Sequence, residues 1–183
     1  MVDFITLKHS ETMHAVNYPS FTLFWQMIAF TRVSLEAVFA CPCDVFVDTL
    51  GVACAYAAVK ILFGCRIASY THYPMISTDM LNQIGSGAQF NNSEAIERSS
   101  LFKTVKRVYY HLLMFTYKIC GRFADQVATN SSWTNAHIVE LWGNPETTTK
   151  IFPPCDTREP TQLVNQTRQN RMVSFAQFRP EKD

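Results

Sequence analysis

Three short apolar runs, DVFVDT at 44–49, RIASYT at 66–71 and DQVAT at 125–129, are separated by stretches whose apolar residues recur at helical spacing. A parallel strand is reached only by a crossover long enough to hold a helix, so strand, helix and strand in succession are the unit of a parallel sheet. No other feature narrows the fold as far: the alternation predicts an α/β fold built on a parallel sheet. Ahead of it, Phe21, Phe24, Trp25, Ile28, Leu35, Val38 and Phe39 predict an amphipathic helix over about residues 20–40. An alanine-rich helix follows Gly51, runs to Phe63 and is closed by Gly64. Ser99 or Ser100 opens a helix striped by Leu101, Val105, Val108, Leu112, Phe115 and Ile119, which Gly121 ends. A helix carrying Trp133, His137 and Leu141 stops at Gly143 and Pro145, and KIFPP at 150–154 is one more short strand. Residues 82–100 show no period and predict a surface loop.

The second half of the chain predicts a hinge. Pro153-Pro154 forces an extended exit, residues 156–171 are polar, and RMVSFAQF at 171–178 starts a fresh strand. The expected division is a first domain at 1–152, a linker at 153–170, and at 171–183 the first strand and loop of a second domain. A strand that opens a domain just before the sequence ends marks the chain as an expected fragment or very short isoform.

Composition excludes several classes. Charged residues make up 17% and hydrophobic ones 48%, which removes the disordered class. A net charge of +1, with no zinc-finger, zinc-ribbon or RRM pattern, removes wholesale nucleic-acid binding. Of the six cysteines only Cys41 and Cys43 are close, and C-P-C is not metal spacing. They read as small buried hydrophobes in a reducing compartment, where the sequons at Asn91, Asn130 and Asn165 would carry no glycan. MVDFITLKHSETMH is too polar for a signal peptide. The apolar run 21–30 is too short to span a bilayer, and 101–121 is interrupted by Lys103, Lys106, Arg107 and Lys118. Any membrane contact is therefore expected to lie on the bilayer surface.

Ligands of parallel α/β sheets collect at the carboxyl ends of the strands. Three exits carry polar residues there: Asp48-Thr49 before Gly51; His72 with Tyr73, Ser77, Thr78 and Asp79; and Asn130-Ser131-Ser132, where a helix start offers N–H groups to an anion. Each has a plainer explanation. Asp48 and the Asn130–Ser132 turn suit helix caps, and His72 suits a structural histidine. What those explanations omit is that all three exits face one edge of one sheet, which is the arrangement of a binding cleft. No G-x-G-x-x-G follows the first strand, and Walker A, G-x-S-x-G and paired-carboxylate patterns are missing.

At THYPMISTDML, VATNSSWTNAHIVELWG, IFPPCDT and FAQFRPEKD the chain resembles, across most of its length, the GDP-mannose-dependent α-1,2-mannosyltransferases of asparagine-linked glycosylation. The resemblance implies a GT-B fold of two Rossmann-like domains, with this chain holding the later part of the N-terminal domain and the first strand of the C-terminal one. It implies a retaining, metal-independent transfer of mannose from GDP-mannose to dolichol-linked Man3GlcNAc2 at the cytosolic face of the endoplasmic reticulum. It places His72 at the acceptor and the transferred sugar as the catalytic residue, with Tyr73, Ser77, Thr78 and Asp79 on the acceptor. Asn130, Ser131 and Lys182 come to the donor phosphates, with Arg179 as a second cation whose spacing departs from the wider superfamily, where Gln177 takes the usual arginine position. No cofactor is expected.

The family's E-x7-E segment and its base- and ribose-binding residues would follow Asp183, and its membrane anchor would precede residue 1, so the chain alone is expected to be inactive. The implied partners are dolichol-linked oligosaccharide, GDP-mannose, a membrane surface met by Lys103, Lys106 and Arg107, and other mannosyltransferases of the pathway. The rival reading is a non-catalytic isoform or scaffold that binds those mannosyltransferases.

Overall fold

The computed structural model describes residues 3–76, 100–155 and 170–172, and the chain falls into two compact units, Met1–Phe152 and Pro153–Asp183. The strands and helices described below belong to the first. Its strands are β1 (Val45–Asp48), β2 (Arg66–Thr71), β3 (Gln126–Thr129) and β4 (Thr148–Lys150), and its helices are α1 (Thr22–Ala40), α2 (Tyr56–Phe63), α3 (Ser100–Gly121) and α4 (Ser132–Trp142). The strands pair parallel throughout in the order β1-β2-β3-β4. The α/β, Rossmann-like parallel arrangement is therefore the observed one. Every crossover steps to the next strand in the same direction, so right-handed connections put α2, α3 and α4 on one face of the sheet. The contacts agree: α1 packs on α2, α2 on α3 and α3 on α4.

Period two decides what the strands bury. Ile67, Ser69 and Thr71 of β2 and Val127 and Thr129 of β3 point into the helical layer and are buried, while Arg66, Gln126, Val45 and Val47 on the other face are exposed. Tyr56, Val59, Leu113, Tyr117, Ile138, Leu141 and Trp142 meet these residues in one core. Cys54 and Cys65 are buried there as expected of small hydrophobes, and burial pushes the Cys54 thiol up to about 12. Cys41 and Cys155 are exposed instead.

Local structure departs from expectation at four places. The segment after Gly51 is not one helix: a 3-10 turn at Ala53–Ala55 leads into α2. Asp48 draws the Leu50 and Val52 N–H groups to its carboxylate, each at 2.8 Å, and delays the helix start. Gly64 and Gly143 close α2 and α4 in the left-handed conformation, φ 71° in both, but Gly121 does not. It is the last residue of α3 and the place where Trp142 crosses. The last strand ends at Lys150, before Ile151-Phe152-Pro153. Finally, α1 at Thr22–Ala40 falls where a helix is expected, yet among the described residues it is the one helix long and apolar enough to cross a membrane, whereas the sequence is read as holding no such helix. The loop at 82–99 lies outside the described residues, as do most of the linker and the strand expected at 171–178.

One polar contact fastens β2, β3 and α2 together at the opposite edge. Lys60 Nζ donates to Asp125 Oδ1 at 2.6 Å and to the Phe123 carbonyl at 3.1 Å, and Asp125 Oδ2 accepts the Ile67 N–H at 2.8 Å. The Lys60 ammonium, followed by the Ile67 N–H, holds the Asp125 carboxyl below its ordinary range. A carboxyl depressed in the folded state stabilises above its unfolded value, about pH 4, and loses that contribution as pH falls through the folded value. Asp125 is partly in water, so screening limits the ion pair. Asp125→Ala is expected to cost about 1 kcal/mol at pH 7, with a smaller difference at pH 3, read from urea unfolding at both values.

Candidate functional site

Each strand exit sits where the chain turns over the carboxyl edge of the sheet, and the loops are laced to one another. After β1, Gly51 has φ +76°, and a Cβ there would lie 2.6 Å from Thr71 Cγ2, so only glycine lets this turn pass the end of β2. The Gly51 carbonyl accepts from Tyr117 Oη at 2.9 Å. The Asp48 carboxylate takes the two loop N–H groups and the Tyr56 hydroxyl, at 2.6 Å. Burial, with this carboxylate beside it, pushes the Tyr56 phenol well above its ordinary value. Asp48 therefore ties the loop together but is not the helix cap that its place in the sequence suggests: the N-cap positions of the 3-10 turn and of α2 are Val52 and Ala55, neither capped by a side chain.

The second and third exits meet. Asn130 N–H donates to the Thr71 carbonyl at 3.3 Å, and Thr134 Oγ1 in the first turn of α4 donates to the His72 carbonyl at 3.0 Å. The His72 side chain is left exposed, its ring edge-on to Tyr70 with centroids 4.9 Å apart. Tyr73 stacks on Trp133 at 5.0 Å and 20°, and Trp133 lies 3.9 Å from His137, while Pro74 and Ile76 behind them are buried. The backbone is therefore anchored while the imidazole and two aromatic rings face outward.

Ser131 is the N-cap of α4: its Oγ accepts the Thr134 N–H at 3.1 Å. The N–H groups of Ser132 and Trp133 have no acceptor within the helix, so they and the helix dipole favour an anion. Lys150, leaving β4, brings its ammonium to Ser132 Oγ at 2.9 Å. Asn130 Oδ1 is buried without a partner among the described residues, an acceptor whose lost hydration nothing replaces.

The structure brings His72, Tyr73, Asn130 and Ser131 to one edge. Ser77, Thr78, Asp79, Arg179 and Lys182 lie outside the described residues. Trp133, His137 and Lys150 join the site without having been singled out from sequence. Trp133 stands in the quoted NSSWT turn but reads there as a helix residue, and Lys150 reads only as the start of a strand; pairing in space gives both their place. No three His, Cys, Asp or Glu side chains gather among the described residues. A histidine, a flat aromatic platform and a helix start with one cation can together hold a sugar ring beside an anionic group.

Comparisons with known proteins bear on which sugar and which anion. The proteins named GDP-Man:Man(3)GlcNAc(2)-PP-Dol alpha-1,2-mannosyltransferase of Xenopus laevis and Homo sapiens are each 37% identical to the chain over 187 residues. The protein of that name from Eremothecium gossypii is 36% identical over 185 residues. All of this chain is covered in the first two and 98% in the third, but the chain spans only 38%, 38% and 30% of those relatives' own lengths. No solved structure matches it. The family model of the ALG11 mannosyltransferase N-terminus matches residues 1–142, which hold β1 to β3, all four helices and the His72 and Asn130–Ser131 exits, and the chain belongs to that family.

Proposed function

We propose that this chain is the acceptor-side part of a retaining α-1,2-mannosyltransferase that moves mannose from GDP-mannose to dolichol-diphosphate-linked Man3GlcNAc2. It would work at the cytosolic face of the endoplasmic reticulum membrane, with no cofactor beyond the donor substrate. Family membership supports the reaction, and one observation supports the site: His72 is exposed on an anchored backbone between the Tyr73–Trp133 stack and the start of α4.

The proposed division of labour follows the chemistry of each group. His72 hydrogen-bonds the acceptor or transferred sugar and fixes its approach. The Tyr73–Trp133 face covers the apolar side of a sugar ring. The α4 N-terminus at Ser131 and the Lys150 ammonium draw the donor diphosphate, and Asn130 Oδ1 takes the sugar hydroxyl it lacks as a donor. Ser77, Thr78 and Asp79 on the acceptor, and Arg179 and Lys182 on the diphosphate, complete the set by resemblance. The proposed organisation is an acceptor domain at 1–152, a linker at 153–170 and the opening of a donor domain at 171–183.

Assay of the full-length enzyme with GDP-mannose and the lipid-linked acceptor tests the reaction; no elongated product would end the proposal. Lys150→Ala in that enzyme is expected to raise the KM for GDP-mannose about tenfold and leave kcat within about twofold, because a diphosphate contact made before and during transfer is uniform binding.

A further inference from the structure

The segment that carries His72 leaves β2 and is held from two sides. On the α4 side, the Thr71 carbonyl accepts the Asn130 N–H at 3.3 Å, the His72 carbonyl accepts from Thr134 Oγ1 at 3.0 Å, and Tyr73 stacks on Trp133. On the other side stands Tyr117 of α3. Its Oη donates to the Gly51 carbonyl at 2.9 Å and accepts the Met75 N–H at 3.4 Å. One phenol oxygen therefore ties the loop after β1 to the loop after β2, using both its hydrogen and a lone pair.

Tyr117 itself has little freedom. It is fully buried, lies edge-on to Trp142 at 5.6 Å, and belongs to a helix of 22 residues and not to a loop. Burial pushes its phenol well above the ordinary value, so the oxygen keeps the hydrogen that it donates. Gly51 passes too close to Thr71 to carry a Cβ, so the carbonyl that Tyr117 meets is held against the end of β2.

A second set of buried hydroxyls runs beneath the same edge. Tyr56 Oη meets Asp48 Oδ2 at 2.6 Å and Ser69 Oγ at 2.8 Å, and Ser69 Oγ meets Thr71 Oγ1 at 3.1 Å. That chain ends at Thr71, one residue short of His72. Among the described residues, the one hydrogen bond to the backbone of 73–76 comes from Tyr117.

Two backbone groups lose their partner when that hydroxyl is removed. In Tyr117→Phe the ring still fills its place, but the Gly51 carbonyl and the Met75 N–H are left unpaired. Unpaired buried groups are unfavourable, so both turn toward water and take their loops with them. The His72 carbonyl stays on Thr134, so the segment swings about that point and the imidazole is aimed elsewhere. At 3.4 Å the Met75 bond is long and adds little to stability, whereas a reacting group displaced by about 1 Å loses on the order of a hundredfold in rate.

We propose that Tyr117 is a positioning residue for sugar transfer: its hydroxyl, bridging the Gly51 carbonyl and the Met75 N–H, sets the direction in which the 72–76 segment presents His72. The role rests on the transfer reaction proposed for the chain. Tyr117 touches no substrate and acts through the imidazole.

The test begins with this chain. In Tyr117→Phe, hydrogen exchange of the amides between 72 and 76 is expected to quicken about tenfold or more, with exchange in β3 unchanged. In the full-length mannosyltransferase the same substitution is expected to lower kcat about tenfold and to leave the dissociation constant for GDP-mannose within about twofold. Added to His72→Ala, it is expected to lower kcat by less than about twofold more, because no imidazole is left to aim. Asp125→Ala loosens the opposite edge of the sheet and is expected to keep kcat within about twofold, which separates aim from stability. Unchanged exchange, unchanged kcat, losses that multiply fully in the double variant, or an equal loss of kcat in Asp125→Ala would each overturn the proposal and leave the transfer reaction standing. A wild-type enzyme that forms no product would instead end the transfer reaction, and the role of Tyr117 with it.

Discussion

His72→Ala, made in the full-length mannosyltransferase to which this chain is proposed to belong, lowers kcat about 100-fold while the dissociation constant for GDP-mannose changes less than about threefold. The expectation comes from how the residue is held. Its carbonyl is fixed by Thr134, its neighbour Tyr73 is stacked on Trp133, and among the described residues no backbone hydrogen bond uses the imidazole, which is exposed. Removing the ring therefore leaves the β2 exit in place and deletes only what it offers to a sugar. Its donor contacts would be made at the transferred sugar, whereas the diphosphate would be held by the α4 start, Lys150 and the donor half, so affinity for GDP-mannose survives. Isothermal titration with GDP-mannose and single-turnover product formation separate the two quantities. Full turnover in the variant removes His72 from the mechanism, and equal losses of affinity and rate make it a binding residue only.

The largest stability effects are expected where Gly121 meets Trp142, and Gly121→Ala is the first of them. A Cβ at this position would overlap the indole of Trp142, which is fully buried and packed edge-on against Tyr56 and Tyr117 with centroids 5.9 and 5.6 Å away. Neither the end of α3 nor the indole has room to yield, since the core lies behind both, so overpacking is expected to cost about 3 kcal/mol. Trp142→Ala alone is expected to cost about 3–5 kcal/mol through the cavity it leaves. The two are coupled. In Gly121→Ala/Trp142→Ala the new methyl enters space that the indole vacated, so the double variant is expected to be no less stable than Trp142→Ala. Urea unfolding of the four proteins in the cycle gives the coupling directly, and simple additivity would show that the contact at Gly121 does not govern packing here.

Much of this fold is legible in order and period. Strand β2 is seen whole in RIASYT because its alternation, with β-branched Ile67 and Thr71, suits a strand, and α4 is bounded by its Ser131 cap and Gly143. The site is half legible. His72, Asn130 and Ser131 stand at strand exits that a parallel sheet must gather at one edge, so their assembly follows from the βαβ order. Lys150 and Trp133 do not announce themselves, because what makes them part of the site is the β3–β4 pairing and the Tyr73 stack, contacts between residues 18 and 60 apart in sequence.

The sequence by itself determined that the chain alternates strand and helix, that its connections force a parallel sheet, and that polar groups collect at the carboxyl edge. Tertiary structure alone decided which side of each helix is inside. The regular row from Val105 to Ile119 has the spacing of a core stripe, yet it is exposed, and Leu113 and Tyr117 are buried in its place. Periodicity shows that residues share a face but not what that face meets. Here α3 is apolar on two faces, the sheet and α4 can cover only one, and the large aromatic Tyr117, whose hydroxyl bonds to the Gly51 carbonyl, takes the covered side.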